Sequence, residues 1–507
     1  MTLMRYMSLG LAWMAFLACG REDPVDPVPS GPAGITLSDT SFSVVQTGET
    51  LSLEITSPAH PHLTLPDWIG FVDGTYRMYH ITVGLTVARN DSYEERSAEV
   101  TVTAEGCSPV TLTITQAGKE KPVIPDAGEW ESAATAVLNM GAGWNLGNTL
   151  DSHSNSVNGM WIEAFTERKP SDYETAWGQP VTTRELIHLF KEAGFNAIRV
   201  PVTWYPHMGN VTVTTYQDAN GDWKGRWDVS TWTGYDVDPA WMARVKEVVD
   251  YVMDEGMYCL LNVHHDTGAD DTAWLVAGED GFKEAEARYR ALWQQIAETF
   301  KDYGEKLLFE SYNEMLDPYD SWCFASYATP SRYDAAVAQS AYSGINSYAK
   351  AFVETVRESG GNNAGRNLVV NTYGACSGDG TWNQHLKEPL DQFLLPEEPG
   401  HIAVEVHSYW KADQFDAQKA DIDKLFTNLD EHLAKRLDVP VIIGEWGGET
   451  KDDAVNARFA GYFSRKAKEA GMAAYMWMSL SDGKDRSVPK WTMPKTKDAI
   501  LEPYLNN

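Results

Sequence analysis

After residue 140 a short, almost unbroken apolar run recurs eight times, and helical patterning separates the runs. They span 141–148, 196–202, 258–265, 307–314, 367–374, 402–409, 440–447 and 473–480. A strand covered by helices on one side and facing a packed interior on the other has no face left for water, so polar alternation disappears from it. The intervening segments follow a 3.6-residue repeat. Asp238 can cap a helix that opens with Pro239, carries Trp241, Val245, Val248, Val249 and Val252 on one face, and stops at Gly256. Similar helices are expected over 183–193, 282–300, 335–357, 417–437 and 453–470. Eight such units over 129–507 predict an α/β fold, a (β/α)8 TIM barrel with insertions. A doubly wound open sheet is the other arrangement, but no glycine-rich phosphate turn follows the first run.

The first 128 residues are organised differently. Arg5 precedes an apolar run from Met7 to Ala18, too short to cross a bilayer but matching the core of an export signal over 1–18. A tether follows over 19–34, where Pro24, Pro27, Pro29 and Pro32 favour a stiff polyproline-like spacer. Over 35–118 apolar and polar residues alternate in short runs, as in Thr50-Leu51-Ser52-Leu53-Glu54-Ile55. That pattern predicts an all-β sandwich of about seven strands. Pro122 and Pro125 mark 119–128 as a linker.

Charge narrows the partners. With 41 Lys and Arg against 72 Asp and Glu the chain carries −31, which repels phosphate backbones and anionic headgroups. Nucleic acid is excluded as a partner, membrane contact is expected only through an N-terminal anchor, and a monomer is expected. The 19 Trp residues fit either core packing or stacking on sugar rings. Cys107, Cys259, Cys323 and Cys376 lack metal-ligand spacing and are read as isolated buried thiols. No cofactor and no metal are expected.

In a barrel the chemistry sits at the C-terminal ends of several strands. Here those ends carry Arg199 (second run), His264-His265-Asp266 (third), Asn313-Glu314 (fourth), His407-Ser408-Tyr409 (sixth), Glu445-Trp446-Gly447 (seventh) and Trp477 (eighth). Glu314 and Glu445 would converge on one axis. A pair of carboxyl groups is what glycosidic-bond cleavage needs, one to protonate the leaving oxygen and one to attack or stabilise an oxocarbenium-like centre. A structural ion pair or core polar contact would account equally for Arg199 or Tyr409 taken singly.

Several stretches resemble glycoside hydrolase family 5. They are Gly143-Trp144-Asn145-Leu146-Gly147-Asn148, Trp177-Gly178-Gln179-Pro180, Ala197-Ile198-Arg199-Val200-Pro201, Asn262-Val263-His264-His265, Phe309-Glu310-Ser311-Tyr312-Asn313-Glu314 and Ile443-Gly444-Glu445-Trp446-Gly447. The paired histidines and the opening stretch are most similar to the endo-β-1,4-glucanase subfamily that includes xyloglucanases and lichenases. The resemblance implies a retaining endo-hydrolase of β-1,4-linked glucans, with Glu314 as general acid/base and Glu445 as nucleophile. It further implies that Asn313 binds the sugar 2-hydroxyl and that Arg199 and Tyr409 hold Glu445 ionised and oriented. His264 and His407 would line the subsite and keep Glu314 placed, Trp477 would floor the sugar, and His265 would touch substrate beside them. The stretch from Ala88 to Gly118 resembles a BACON domain, read as a spacer or as a glycan-binding module. Residues 16–19, ending in Cys19, resemble a bacterial lipoprotein signal, with Phe16 where that family carries Leu. Cys19 would then be lipidated and the protein a cell-envelope lipoprotein; an ordinary secretory signal would leave it secreted or periplasmic.

An insertion over 206–238 holds Tyr216, Trp223, Trp227, Trp232 and Tyr235 around an Asn220-Gly221 turn. It is expected at the barrel mouth, either as a wall of sugar platforms or simply packed on the barrel. Asp218, Asn220 and Asp222 mimic the start of a calcium loop, but Trp223 takes its glycine position and Val229 its terminal acid. His264-His265-Asp266 is set aside as a metal site because neighbours on a strand point oppositely. A mannan- or xylan-directed glycanase, or a glycan-capture lipoprotein without activity, are the rival functions.

Overall fold

The computed structural model describes residues 31–90, 94–118, 130–156, 158–209, 212–228, 233–269, 272–329 and 332–505. Cys19, the apolar run before it, the linker, Val229 and Trp232 lie outside the described residues. Two compact units divide the chain, Met1–Lys121 and Pro122–Asn507.

The first unit holds two four-stranded sheets. One runs in the order Thr36–Leu37, Thr50–Thr56, His80–Val87 and Ile69–Arg77. The other runs Ser41–Val44, Val110–Gln116, Arg96–Thr103 and His62–Thr64. The strands number eight rather than about seven, and the Ser41–Val44 pairing with Val110–Gln116 is parallel. Period-two burial is clean: Leu51, Leu53 and Ile55 on one strand meet Ile81, Val83, Leu85 and Val87 on the next, and Val100, Val102, Leu112 and Ile114 close the core.

The second unit is a closed barrel of eight parallel strands. These are β1 (Ala142–Asn145), β2 (Ala197–Val200), β3 (Tyr258–Asn262), β4 (Leu307–Glu310), β5 (Leu368–Cys376), β6 (Ile402–Tyr409), β7 (Val441–Gly447) and β8 (Ala473–Met476). The helices that follow them are α1 (Arg184–Ala193), α2 (Pro239–Asp254), α3 (Glu279–Thr299), α4 (Ala335–Glu358), the four-residue α5 (Glu388–Asp391), α6 (Phe415–Leu429), α7 (Asp453–Glu469) and α8 (Pro494–Leu505). In α2, Asp238 caps Ala240 N–H and the five apolar residues read from the sequence are buried. Alternate strand residues turn inward. Leu260, Leu308, Val369, Ala403, Ile442 and Ala473 form an apolar layer with Ala136, Val137 and Met140 of the preceding helix Ala133–Met140. This layer plugs the N-terminal end of the barrel and leaves the opposite end for polar groups.

Candidate active site

Above the apolar plug, the next inward positions are charged. Arg199 on β2 is fully buried and uses all five of its N–H donors. Nε and Nη2 grip Glu310 at 2.7 Å each, Nη2 also reaches Asn313 Oδ1 at 2.8 Å, and Nη1 reaches Glu445 Oε1 at 2.7 Å and Asn145 Oδ1 at 3.0 Å. The arginine thus fixes one carboxylate bidentately and orients a second. Asn262 adds a 3.0 Å bond to Glu310 Oε1, and Asn371 adds one at 3.3 Å. Burial works against the charge on Glu310, but Arg199, then Asn262 and Glu405, hold it below the usual carboxylate range. Because Asn313 Oδ1 is committed to Arg199, its Nδ2 remains a donor for a ligand.

Glu445 reaches the interior through irregular register. Ile442 faces the plug and Ile443 and Trp446 belong to the outer core, with register shifts between β6 and β7 and between β7 and β8 at this point. A bulge of this kind re-aims a side chain that strict alternation would send outward. Tyr409 donates to Glu445 Oε2 at 2.6 Å, so both oxygens of the carboxylate are held. Glu314 follows β4 and meets His407 Nδ1 at 2.7 Å. One oxygen of Glu314, one of Glu445 and one nitrogen of His407 lie within 4.8 Å of one another. Burial opposes a charge on His407, yet Glu445, Glu314 and Glu405 together raise its pKa to about 10. It is an imidazolium at neutral pH. His264 is the opposite case: burial, then His265 and Arg199, push it well below its usual value, and Asn262 bonds its Nδ1 at 3.0 Å. The His264 ring lies parallel to Trp477 at 5.7 Å, and Trp477 packs where Gly147 has no side chain.

A family model described as cellulase (glycosyl hydrolase family 5) matches residues 156–483. The chain belongs to glycosyl hydrolase family 5. A broad-specificity endoglucanase structure from an uncultured bacterium is 45% identical, covering 75% of this chain and 97% of that one with a TM-score of 0.65. A Prevotella bryantii family 5 enzyme, solved with a xyloglucan tetradecasaccharide, is 36% identical over 74% of this chain and 99% of that one, with a TM-score of 0.60. Endoglucanase A of Clostridium longisporum is 30% identical over 405 residues, 76% of this chain and 68% of its own length.

Every residue read from the sequence as part of the family 5 site sits at the C-terminal end of this barrel, with some differences in detail. Trp477, Asn313 and Glu314 fall just past their strands rather than within them. His264 faces Glu445 Oε1 at 3.8 Å, so His407 is the histidine that contacts Glu314. The two neighbouring histidines do not point oppositely, because β3 ends at Asn262; their rings meet edge to face at 4.4 Å. Asp266 turns away to bind Trp204 N–H and Trp274 Nε1. His265 instead sits among His153, Trp177 and Asp151. Asp151 is occupied by the amides of Asn148 and Thr149, and burial raises its pKa to about 6. Of the four described cysteines, all free, only Cys259 is buried as expected; Cys107 and Cys376 are half-buried and Cys323 is exposed.

Sequence reasoning missed Glu310, Glu405, Asn145, Asn262 and Asn371 as a layer beneath the site. The available signal was a glutamate inside an otherwise apolar strand, seen twice, at Glu310 and Glu405.

Proposed function

We propose that this family 5 enzyme is a retaining endo-β-1,4-glucanase acting on glucans of the cellulose, mixed-linkage or xyloglucan type, with Glu445 as nucleophile and Glu314 as general acid/base. The observation that carries the reading is the close approach of Glu314 and Glu445, whose oxygens come within 4.8 Å. Retaining pairs stand about 5 Å apart, whereas inverting pairs need room for a water. Glu445, held by Arg199 and Tyr409, attacks the anomeric carbon while Glu314 protonates the departing oxygen. The covalent glycosyl-enzyme is then opened by a water from which Glu314 takes a proton. Asn313 Nδ2 is the donor for the 2-hydroxyl, Trp477 is the floor under the sugar, and His264 and His265 line its edge. The similarity to a broad-specificity endoglucanase and to an enzyme solved with a xyloglucan oligosaccharide supports a β-glucan substrate.

Glu314→Gln should lower hydrolysis of soluble β-glucan by about 10²–10⁴-fold and spare activated aryl glycosides, whose leaving groups need little protonation. Glu445→Gln should abolish both. Product NMR should show the β-anomer first; an initial α-anomer sinks the nucleophile assignment. Preference for mannan or xylan across a polysaccharide panel would move the substrate class.

The N-terminal β-unit is read as a BACON-like spacer and Cys19 as a lipidated residue that tethers the enzyme to the cell envelope. Support comes from the apolar run that Cys19 closes and the proline-rich tether behind it.

A further inference from the structure

Three carboxyl groups surround one guanidinium inside the barrel. Glu310 and Glu445 take three of the Arg199 N–H donors, and Asn145 and Asn313 take the other two. Glu405 on β6 lies 3.5 Å from Arg199 Nε but receives none of the five. Its side chain has 0% exposure, and its Oε2 has no hydrogen-bond partner among the described residues. The carboxyl that faces it is Glu310. Two acids in contact repel when both are ionised and attract when one proton lies between them. Two cations, Arg199 and the His407 imidazolium, stand here against four acids once Glu314 is counted, and the excess negative charge would cost several kcal/mol per uncompensated ion, so the four cannot all be ionised together.

The other oxygen of Glu405 is spoken for. His407 Nε2 lies 3.3 Å from Oε1, and the same ring's Nδ1 lies 2.7 Å from Glu314. The titratable and charged groups facing this cluster are Arg199 on β2, His264 after β3, Glu310 on β4 and Glu314 after it, His407 on β6, Glu445 on β7 and Tyr475 on β8. Glu310 is fixed as an anion by four donors and Glu445 by two. Glu405 is the acid left to hold the proton.

We propose that Glu405 is a positioning residue that stores a proton beneath the catalytic pair and, through His407, governs how tightly Glu314 holds its own. The inference rests on Glu314 being the acid/base. Burial, then the charge of Glu310, raise Glu405 to about 8, which agrees with the geometry. Below that pH Glu405 is neutral, shares its proton with Glu310, and accepts from His407 through Oε1. As pH rises past about 8 Glu405 ionises. The new negative charge offsets the pull of the His407 imidazolium on the Glu314 proton, so the acid stays loaded to higher pH.

Glu405→Gln cannot develop that charge. Its kcat/KM on soluble β-glucan should stay within about threefold of wild type at pH 6, while the alkaline limb moves down by about one pH unit. The acid limb should not move. On an activated aryl cellobioside the glycosylation step needs no proton from Glu314, and there the shift should vanish. A merely structural role would lower activity evenly across pH, and either that result or an unmoved alkaline limb overturns the proposal. Glu314→Gln separates the two readings: if it leaves β-glucan hydrolysis intact the acid/base assignment fails, whatever Glu405→Gln does. Should Glu405→Gln not fold, infrared spectra of Glu314→Gln settle the matter. A protonated-carboxyl band present at pH 7 and lost as pH passes about 8 supports the store, and its absence at pH 7 overturns it.

Discussion

Gly444, directly before Glu445, borders Glu405 so closely that a Cβ built on it would fall 1.3 Å from Oε1. The glycine is the seat of a neighbouring strand's carboxyl rather than a hinge. Gly444→Ala should cost about 1–3 kcal/mol of stability, read from the urea midpoint, and lower kcat as Arg199 and His407 are displaced. Adding Glu405→Ser should return most of the stability; if the double variant is no more stable than Gly444→Ala, the clash is elsewhere. This residue also marks where sequence reading ran short. Glu314, Glu445, Asn313, His407 and Tyr409 were legible because polar groups at strand ends have no place in an apolar core. Glu310 and Glu405 lie deeper, behind Phe309 and between Val404 and Val406, and the space Gly444 leaves for a carboxyl has no side chain to announce it.

At the scale of elements, all eight apolar runs contain a barrel strand, since burial on both faces imposes its pattern regardless of loop details. Five ladders end before their runs do, at Asn145, Val200, Asn262, Glu310 and Met476. Past Asn262 and Glu310 the next residues, 263–264 and 311–313, are also buried, and the turns beyond the ladders carry His264, Asn313, Glu314 and Trp477. Only four residues of helix follow β5, where the sequence shows no 3.6-residue repeat. The insertion is a hairpin, Thr212–Gln217 with Trp223–Asp228, and its aromatics differ in burial. Trp227 packs edge to face on Tyr205 at 5.0 Å, whereas Trp223 is 60% exposed. Asp218 caps the turn through the amides of Asn220 and Asp222. Trp223→Ala should raise KM for polymer by up to about tenfold without changing kcat on a short aryl glycoside, the magnitude expected for one lost stacking contact. Trp227→Ala should instead increase proteolysis of the hairpin. Equal effects of both substitutions on polymer KM would remove the platform role.

For the whole molecule, two compact units with separate cores should behave separately. A chain beginning at Pro122 should hydrolyse soluble β-glucan with kcat/KM within about threefold of the full protein. A folded but inactive product would give the β-unit a part in catalysis. In the full chain, Cys19→Ala should move activity from the membrane fraction to the soluble fraction, and unchanged retention would refute the lipid anchor. The buried charge layer also gives the barrel a direction of assembly. Arg199 and Glu310 sit on β2 and β4, while Glu405 and Glu445 sit on β6 and β7. During synthesis the cation therefore emerges with its bidentate partner already in the first half. The later half brings two acids to an arginine that is already in place. Released in the reverse order, those acids would have to wait, desolvated or exposed, for a cation not yet made.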